Sequence, residues 1–167
     1  MDSLIFFGSL RSKKLLKTVI GSDLNHLKFV DAKIYKSKLY KVKNENFPYL
    51  EKTESNTDFV NCTYINNLIK ENIEKIFFYE SIEYRISQII ISLNNENIKT
   101  HFFELIKKNK TSELWLFEKW KKSFEEFSCI AAKEWMELFI EYKHKPGDAE
   151  VYWQKMLEDA KVEINKQ

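Results

Sequence analysis

Apolar residues open the chain as a short unbroken run, Leu4-Ile5-Phe6-Phe7, which stops at Gly8. So short and aromatic a run predicts a buried strand. Ser9-Leu10-Arg11-Ser12 follows as a turn, and Ser12 is placed to cap a helix carrying Leu15, Leu16 and Val19. Gly21 is placed to end that helix as a left-handed cap. Between Leu27 and Val42, apolar and aromatic residues alternate with lysines, which predicts two strands meeting at Lys36-Ser37. Residues 44–58 are polar and read as a loop, anchored by Phe47-Pro48-Tyr49-Leu50. Phe59 to Ile65 predicts another strand. Leu68, Ile69, Ile73, Ile76 and Phe77 recur at helical spacing, so a helix is expected to end near Tyr79-Glu80. Tyr84 to Leu93 predicts a strand whose Ile89-Ile90-Ile91 run suits burial on both faces. Asn94 to Asn97 makes a hairpin turn, and Ile98 to Phe103 returns as a strand.

After about Lys107 the period changes. Trp120, Phe124, Phe127, Ala131, Trp135, Leu138 and Tyr142 lie three or four apart. That is one face of a long helix, or of two helices with a break. Pro146-Gly147 interrupts the pattern, and Asp148 is placed to cap a last helix through Trp153, Leu157 and Ala160. All four tryptophans belong to this segment. An aromatic stripe at helical spacing is more often core, or a face for a partner helix, than a cofactor site. The helices are expected to pack on the preceding domain, to bury a homodimer interface, or to lie over a site as a lid.

The chain has 167 residues, enough for one domain or a compact domain with an appendage. With 44% hydrophobic residues it can bury a core. Twenty-seven basic residues stand against 25 acidic ones, interleaved, so charge gives no argument for nucleic acid or an anionic membrane. The first apolar run is too short for a signal peptide or a membrane span. A cytoplasmic location is therefore expected, with Cys62 and Cys129 as reduced thiols. His26, His101 and His144 are scattered, and no spacing resembles a metal site.

Two short segments carry candidate chemistry. A glycine at a strand end, followed by a helix start, presents successive backbone N–H groups that can hold a carboxylate. Gly8-Ser9 has that form, although such a turn is more often a tight connection. Glu80 follows Ile76-Phe77-Phe78-Tyr79 and precedes a buried strand. Partial desolvation there would raise its pKa and suit it to proton transfer. A glutamate at a helix end is more often solvated, and Glu83 is the nearby competitor.

Together and in order, these segments resemble the gamma-glutamylcyclotransferase-like family, which includes the AIG2-like proteins. Ile5-Phe6-Phe7-Gly8-Ser9-Leu10-Arg11 resembles its "YGSL" or "YGTLR" strand-loop. Ala32 to Tyr40 resembles the strand pair that leads to its Leu-Tyr, and Phe47-Pro48-Tyr49-Leu50 is similar to its "yPal" stretch. Val60 to Tyr64 occupies the place of its "V-x-G-x-x-Y" strand. Ile76 to Arg85 resembles its "LDxFEGxxYxR" segment, which puts the family's catalytic glutamate on Glu80. The likeness covers roughly residues 4 to 104. Phe7 stands where a tyrosine is usual, Phe77 where an aspartate is common and Ser81 where a glycine is common, and Asn61-Cys62 replaces the glycine of the middle strand.

The resemblance implies an α+β fold. It would comprise a small mixed barrel-like sheet with flanking helices over residues 1–106, and a C-terminal helical extension over 107–167. It also implies release of 5-oxoproline from a small gamma-glutamyl amine or peptide, without metal or cofactor. Glu80 would be the general acid/base. Phe7, Gly8, Ser9 and Leu10 would bind substrate, and Tyr84 and Arg85 would support the glutamate and its strand. The alternative is a non-catalytic small-molecule-binding or protein-interaction module on the same fold, its helical tail serving as a partner or oligomerisation surface.

Overall fold

The computed structural model describes residues 2–107 and 109–166. Met1, Lys108 and Gln167, which fall within the two expected segments, lie outside the described residues. Among the described residues, eight strands form two sheets. The larger has the order β1 (Leu4–Phe6), β5 (Phe59–Asn66), β2 (Lys28–Tyr35), β6 (Tyr84–Leu93), β7 (Glu96–Leu105). The smaller has the order β4 (Pro48–Lys52), β3 (Ser37–Val42), β8 (Lys110–Leu114). Every pairing is antiparallel. The edges β1 and β7 come back towards one another, and Phe7 meets Phe102 there at 5.8 Å between ring centroids. The large sheet thus curls like a barrel without closing.

Helices α1 (Lys13–Ile20) and α2 (Lys70–Glu80) lie in the first two-thirds of the chain. Then come α3 (Phe117–Glu137), α4 (Phe139–Tyr142), α5 (Pro146–Ala149) and α6 (Trp153–Ile164). Ser12 caps α1 by accepting from the Leu15 N–H at 3.1 Å, and Gly21 ends it at φ 69°. The turn from β6 to β7 passes through Asn94 and Asn95, both at positive φ, the geometry of a two-residue hairpin whose twist matches its strands.

One core joins the sheets to the C-terminal helices. Leu4, Leu16, Ile34 and Ile65 share it with Trp115, Trp120, Cys129 and Ala132. Polar ties reinforce the junction: the Ser12 hydroxyl donates to Glu125 at 2.6 Å, and Lys14 pairs with Glu126.

Several local expectations are revised. Of Phe47-Pro48-Tyr49-Leu50 only Phe47 lies in a loop: Pro48 opens edge strand β4, where a missing N–H breaks no ladder bond. Tyr49 is buried, stacks on Tyr40 and donates its hydroxyl to the Thr111 carbonyl at 3.2 Å. Ile89 and Ile91 are buried, but Ile90 is 62% exposed, because one face of the large sheet meets solvent there. Asp148 sits inside α5 and does not cap the last helix. Within the segment expected to be helical, Lys110–Leu114 adds strand β8 beside β3.

Trp120 tests how firmly the C-terminal helices belong to this core. It is 3% exposed, beside Trp115 and Phe117. Trp120→Ala should cost about 3–5 kcal/mol of unfolding free energy, measured by urea titration. A loss below about 1 kcal/mol, the size of an ordinary surface change, would mean that α3 rests loosely on the sheets.

Candidate functional site

The site is built where β1 ends. Phe7 is 8% exposed and wedged against Phe102. The chain then turns through Gly8 into a 3-10 turn, Ser9–Arg11. Arg11 N–H donates to the Gly8 carbonyl at 3.1 Å, and Ser12 N–H to the Ser9 carbonyl at 2.9 Å. A turn of this kind leaves its leading N–H groups without partners inside the turn. Gly8 has φ −98°, which any residue can adopt, so the need for glycine is spatial. A Cβ built there would meet Pro48 Cγ at 3.2 Å and Cδ at 3.3 Å. Pro48 therefore lies directly on Gly8.

Glu80 is the last residue of α2. Ile76 and Phe78 anchor this end of the helix in the core, at 0% and 1% exposure. The Glu80 side chain is half-buried and faces a cavity of about 40 Å³. Gly8, Ser9, Leu10, Pro48, Tyr84 and Phe103 are among the residues around it. Burial among these largely apolar neighbours pushes the Glu80 carboxyl up to about 8. Tyr79 and Tyr84 are also pushed up, first by burial and then by the Glu80 charge.

The fold thus brings Phe7, Gly8, Ser9, Leu10, Glu80 and Tyr84 to one cavity. Arg85 is not there. Alternation along β6 turns it to the outer face, 64% exposed, where it holds Glu104 of β7 at 2.9 Å. Glu83 is exposed. Phe77 is 42% exposed and packs edge-on against Phe103 at 5.0 Å. Ser81 has φ 54° and ψ −158°, a backbone that glycine adopts far more readily. Cys62 is buried in the core, its thiol pushed up to about 12 by desolvation. Among the described residues, no group of three or more His, Cys, Asp or Glu side chains is placed to hold a metal ion.

Sequence reasoning missed contributors from two segments. Phe47 and Pro48 line the cavity from the second sheet, and Phe103 from β7. Phe47 also packs on Tyr84 at 6.2 Å. The apolar Phe47-Pro48 pair within a polar stretch was the only signal for the first; nothing local distinguished Phe103 from its neighbour Phe102.

No family model matches the sequence, and no curated protein matches it. Solved structures do match in shape. A solution structure of an Arabidopsis thaliana protein superposes with a TM-score of 0.56 at 16% identity, over 92% of this chain and 84% of that one. A gamma-glutamyl cyclotransferase superposes with a TM-score of 0.55 at 10% identity, over 92% of this chain and 98% of that one. A Homo sapiens protein gives a TM-score of 0.54 at 12% identity, over 87% of this chain and 86% of that one. The chain has the gamma-glutamylcyclotransferase-like fold that its sequence resembles.

Proposed function

We propose that the protein is a gamma-glutamylcyclotransferase-like enzyme that releases 5-oxoproline from a small gamma-glutamyl amine or peptide. One observation carries this reading: a carboxyl raised by burial to about 8 shares a cavity with the Gly8-Ser9-Leu10 turn. The substrate's α-nitrogen attacks its own γ-carbonyl carbon. A ring C–N bond forms and the γ-amide C–N bond breaks. Glu80 takes a proton from the α-ammonium and returns it to the departing nitrogen, so one carboxylate serves as base and then as acid. Both reacting groups belong to one molecule, and holding them in contact supplies much of the acceleration. The Gly8, Ser9 and Leu10 N–H groups and the Ser9 hydroxyl hold the substrate α-carboxylate. Tyr84 packs beside Glu80 and keeps water from it.

Entry of substrate requires space. The cavity is smaller than the roughly 300–1,000 Å³ of ordinary ligand pockets. Pro48 rests on Gly8 and Phe47 on Tyr84, so the β4 end must lift for a glutamyl group to reach the turn. The tightness of the cavity, with Phe7 supplying no hydroxyl, supports the alternative of a non-catalytic module. A panel of gamma-glutamyl amides assayed for 5-oxoproline release separates the two readings; no release from any of them favours the module.

Glu80→Gln should keep the fold and lose at least about 100-fold in turnover. Turnover at the wild-type rate would remove Glu80 from the chemistry. The pH profile gives a second check. Glu80 must be ionised to act as base, and at pH 7 roughly one molecule in ten has it so. The wild-type rate should therefore climb with pH up to about 8. A limb near the ordinary glutamate value of 4.5 would contradict the assignment. Stability should move the other way. The folded pKa lies above the unfolded one, so folding stability is full below about 4.5 and falls as pH rises to about 8. Glu80→Gln cannot ionise. Its stability advantage over wild type should widen between pH 5 and 8 in denaturant titrations.

A further inference from the structure

Ser81 follows Glu80 directly and begins the 3-10 turn Ser81–Glu83 that leads to Tyr84. Its φ of 54° comes with a ψ of −158°, whereas Gly21, also at positive φ, has the ordinary left-handed ψ of 19°. A side chain at such φ and ψ is strained and persists only where its surroundings hold it. The C-terminal segment does the holding. The Ser81 hydroxyl donates to the Glu150 carboxylate. Three residues earlier, the Phe78 carbonyl accepts both the Ser81 N–H and the Trp135 indole N–H, the latter at 3.2 Å. The Phe78 ring stacks on Trp135 at 5.2 Å and meets Phe139 edge-on at 5.6 Å. On the other side, Gly147 packs against Ile82: a Cβ built on it would lie 3.5 Å from Ile82 Cγ2. None of these C-terminal residues lines the Glu80 cavity.

We infer that Glu150, with Trp135, positions the Glu80 carboxyl by clamping the strained Ser81 backbone beside it. The helical extension is then part of the active-site scaffold, although it touches no substrate. Released from Glu150, Ser81 relaxes to negative φ. The last turn of α2 rotates, and Glu80 turns away from the Gly8-Ser9-Leu10 N–H groups. This rests on Glu80 being the proton-transfer group.

The strain itself supplies the test, because glycine adopts this backbone without a clamp. In the full chain, Glu150→Ala should lower kcat by about 10- to 100-fold with KM changed less than about two-fold. Ser81→Ala, which removes the hydroxyl from the other side of the contact, should do the same. Glu150→Gln keeps an acceptor oxygen and should retain most of the rate. Placed in the Ser81→Gly background, Glu150→Ala should cost less than about two-fold relative to Ser81→Gly alone. An equal cost in both backgrounds would overturn the inference. The Glu80 titration, followed by NMR with carboxyl-labelled glutamate, reads the clamp without turnover. It should shift towards the ordinary glutamate range in Glu150→Ala and return in the double variant. A titration that stays put in Glu150→Ala also overturns it. If the wild-type chain cyclises no substrate, the function proposed above fails, and this titration still decides whether the clamp exists.

Discussion

A carboxyl group at the C-terminal end of a helix faces two penalties when it ionises. The helix dipole presents its negative end there, and an apolar setting removes the water that would solvate the charge. Glu80 meets both. It closes α2 beside the buried Phe78 and faces a small cavity walled largely by apolar groups. Most of the architecture around it serves that confinement. The core holds the helix end, the large sheet brings Tyr84 and Phe103 alongside, and the second sheet lays Phe47 and Pro48 across the opening.

The second sheet explains the glycine. A residue with a side chain at position 8 would push Pro48 away, and the cover over the N–H turn would loosen. The cover is itself held from the C-terminal side. Trp115 donates its indole N–H to the Asn46 carbonyl at 3.0 Å, next to Phe47, and its backbone N–H to Leu39 of β3. Glu80 and the Gly8 turn, far apart in sequence, are thus both braced by residues beyond position 110.

That bracing gives the tryptophans a role that composition could not. Trp115 and Trp120 fill the main core. Trp135 packs with Phe78, Phe139 and Ala149 in a separate cluster under the end of α2. The helical extension is joined to the sheets by shared burial, by strand β8 and by contacts on both sides of Glu80.

Local chemistry in the sequence was enough to fix several features. Ser12 and Gly21 bracket α1 because capping depends on residues within one turn. The spacing of Ile73 and Ile76 gave α2 and its end at Glu80, and the asparagine pair gave the hairpin between β6 and β7. The order of short motifs pointed to the fold. Other features depended on partners distant in sequence. Strand Pro48–Lys52 was hidden in a polar stretch because its pairing with β3 and the burial of Tyr49 come from the tertiary fold. Ile90 reads as buried until the sheet leaves one face in water. Ser81 looks like an ordinary turn residue, and only its backbone angles and its contact with Glu150 reveal strain. The sequence by itself determined which residues could carry a carboxylate, a turn and a cap, because those properties are local. Only the tertiary structure decided that Glu80 and the Gly8 turn share one desolvated cavity, because desolvation is set by neighbours drawn from across the chain.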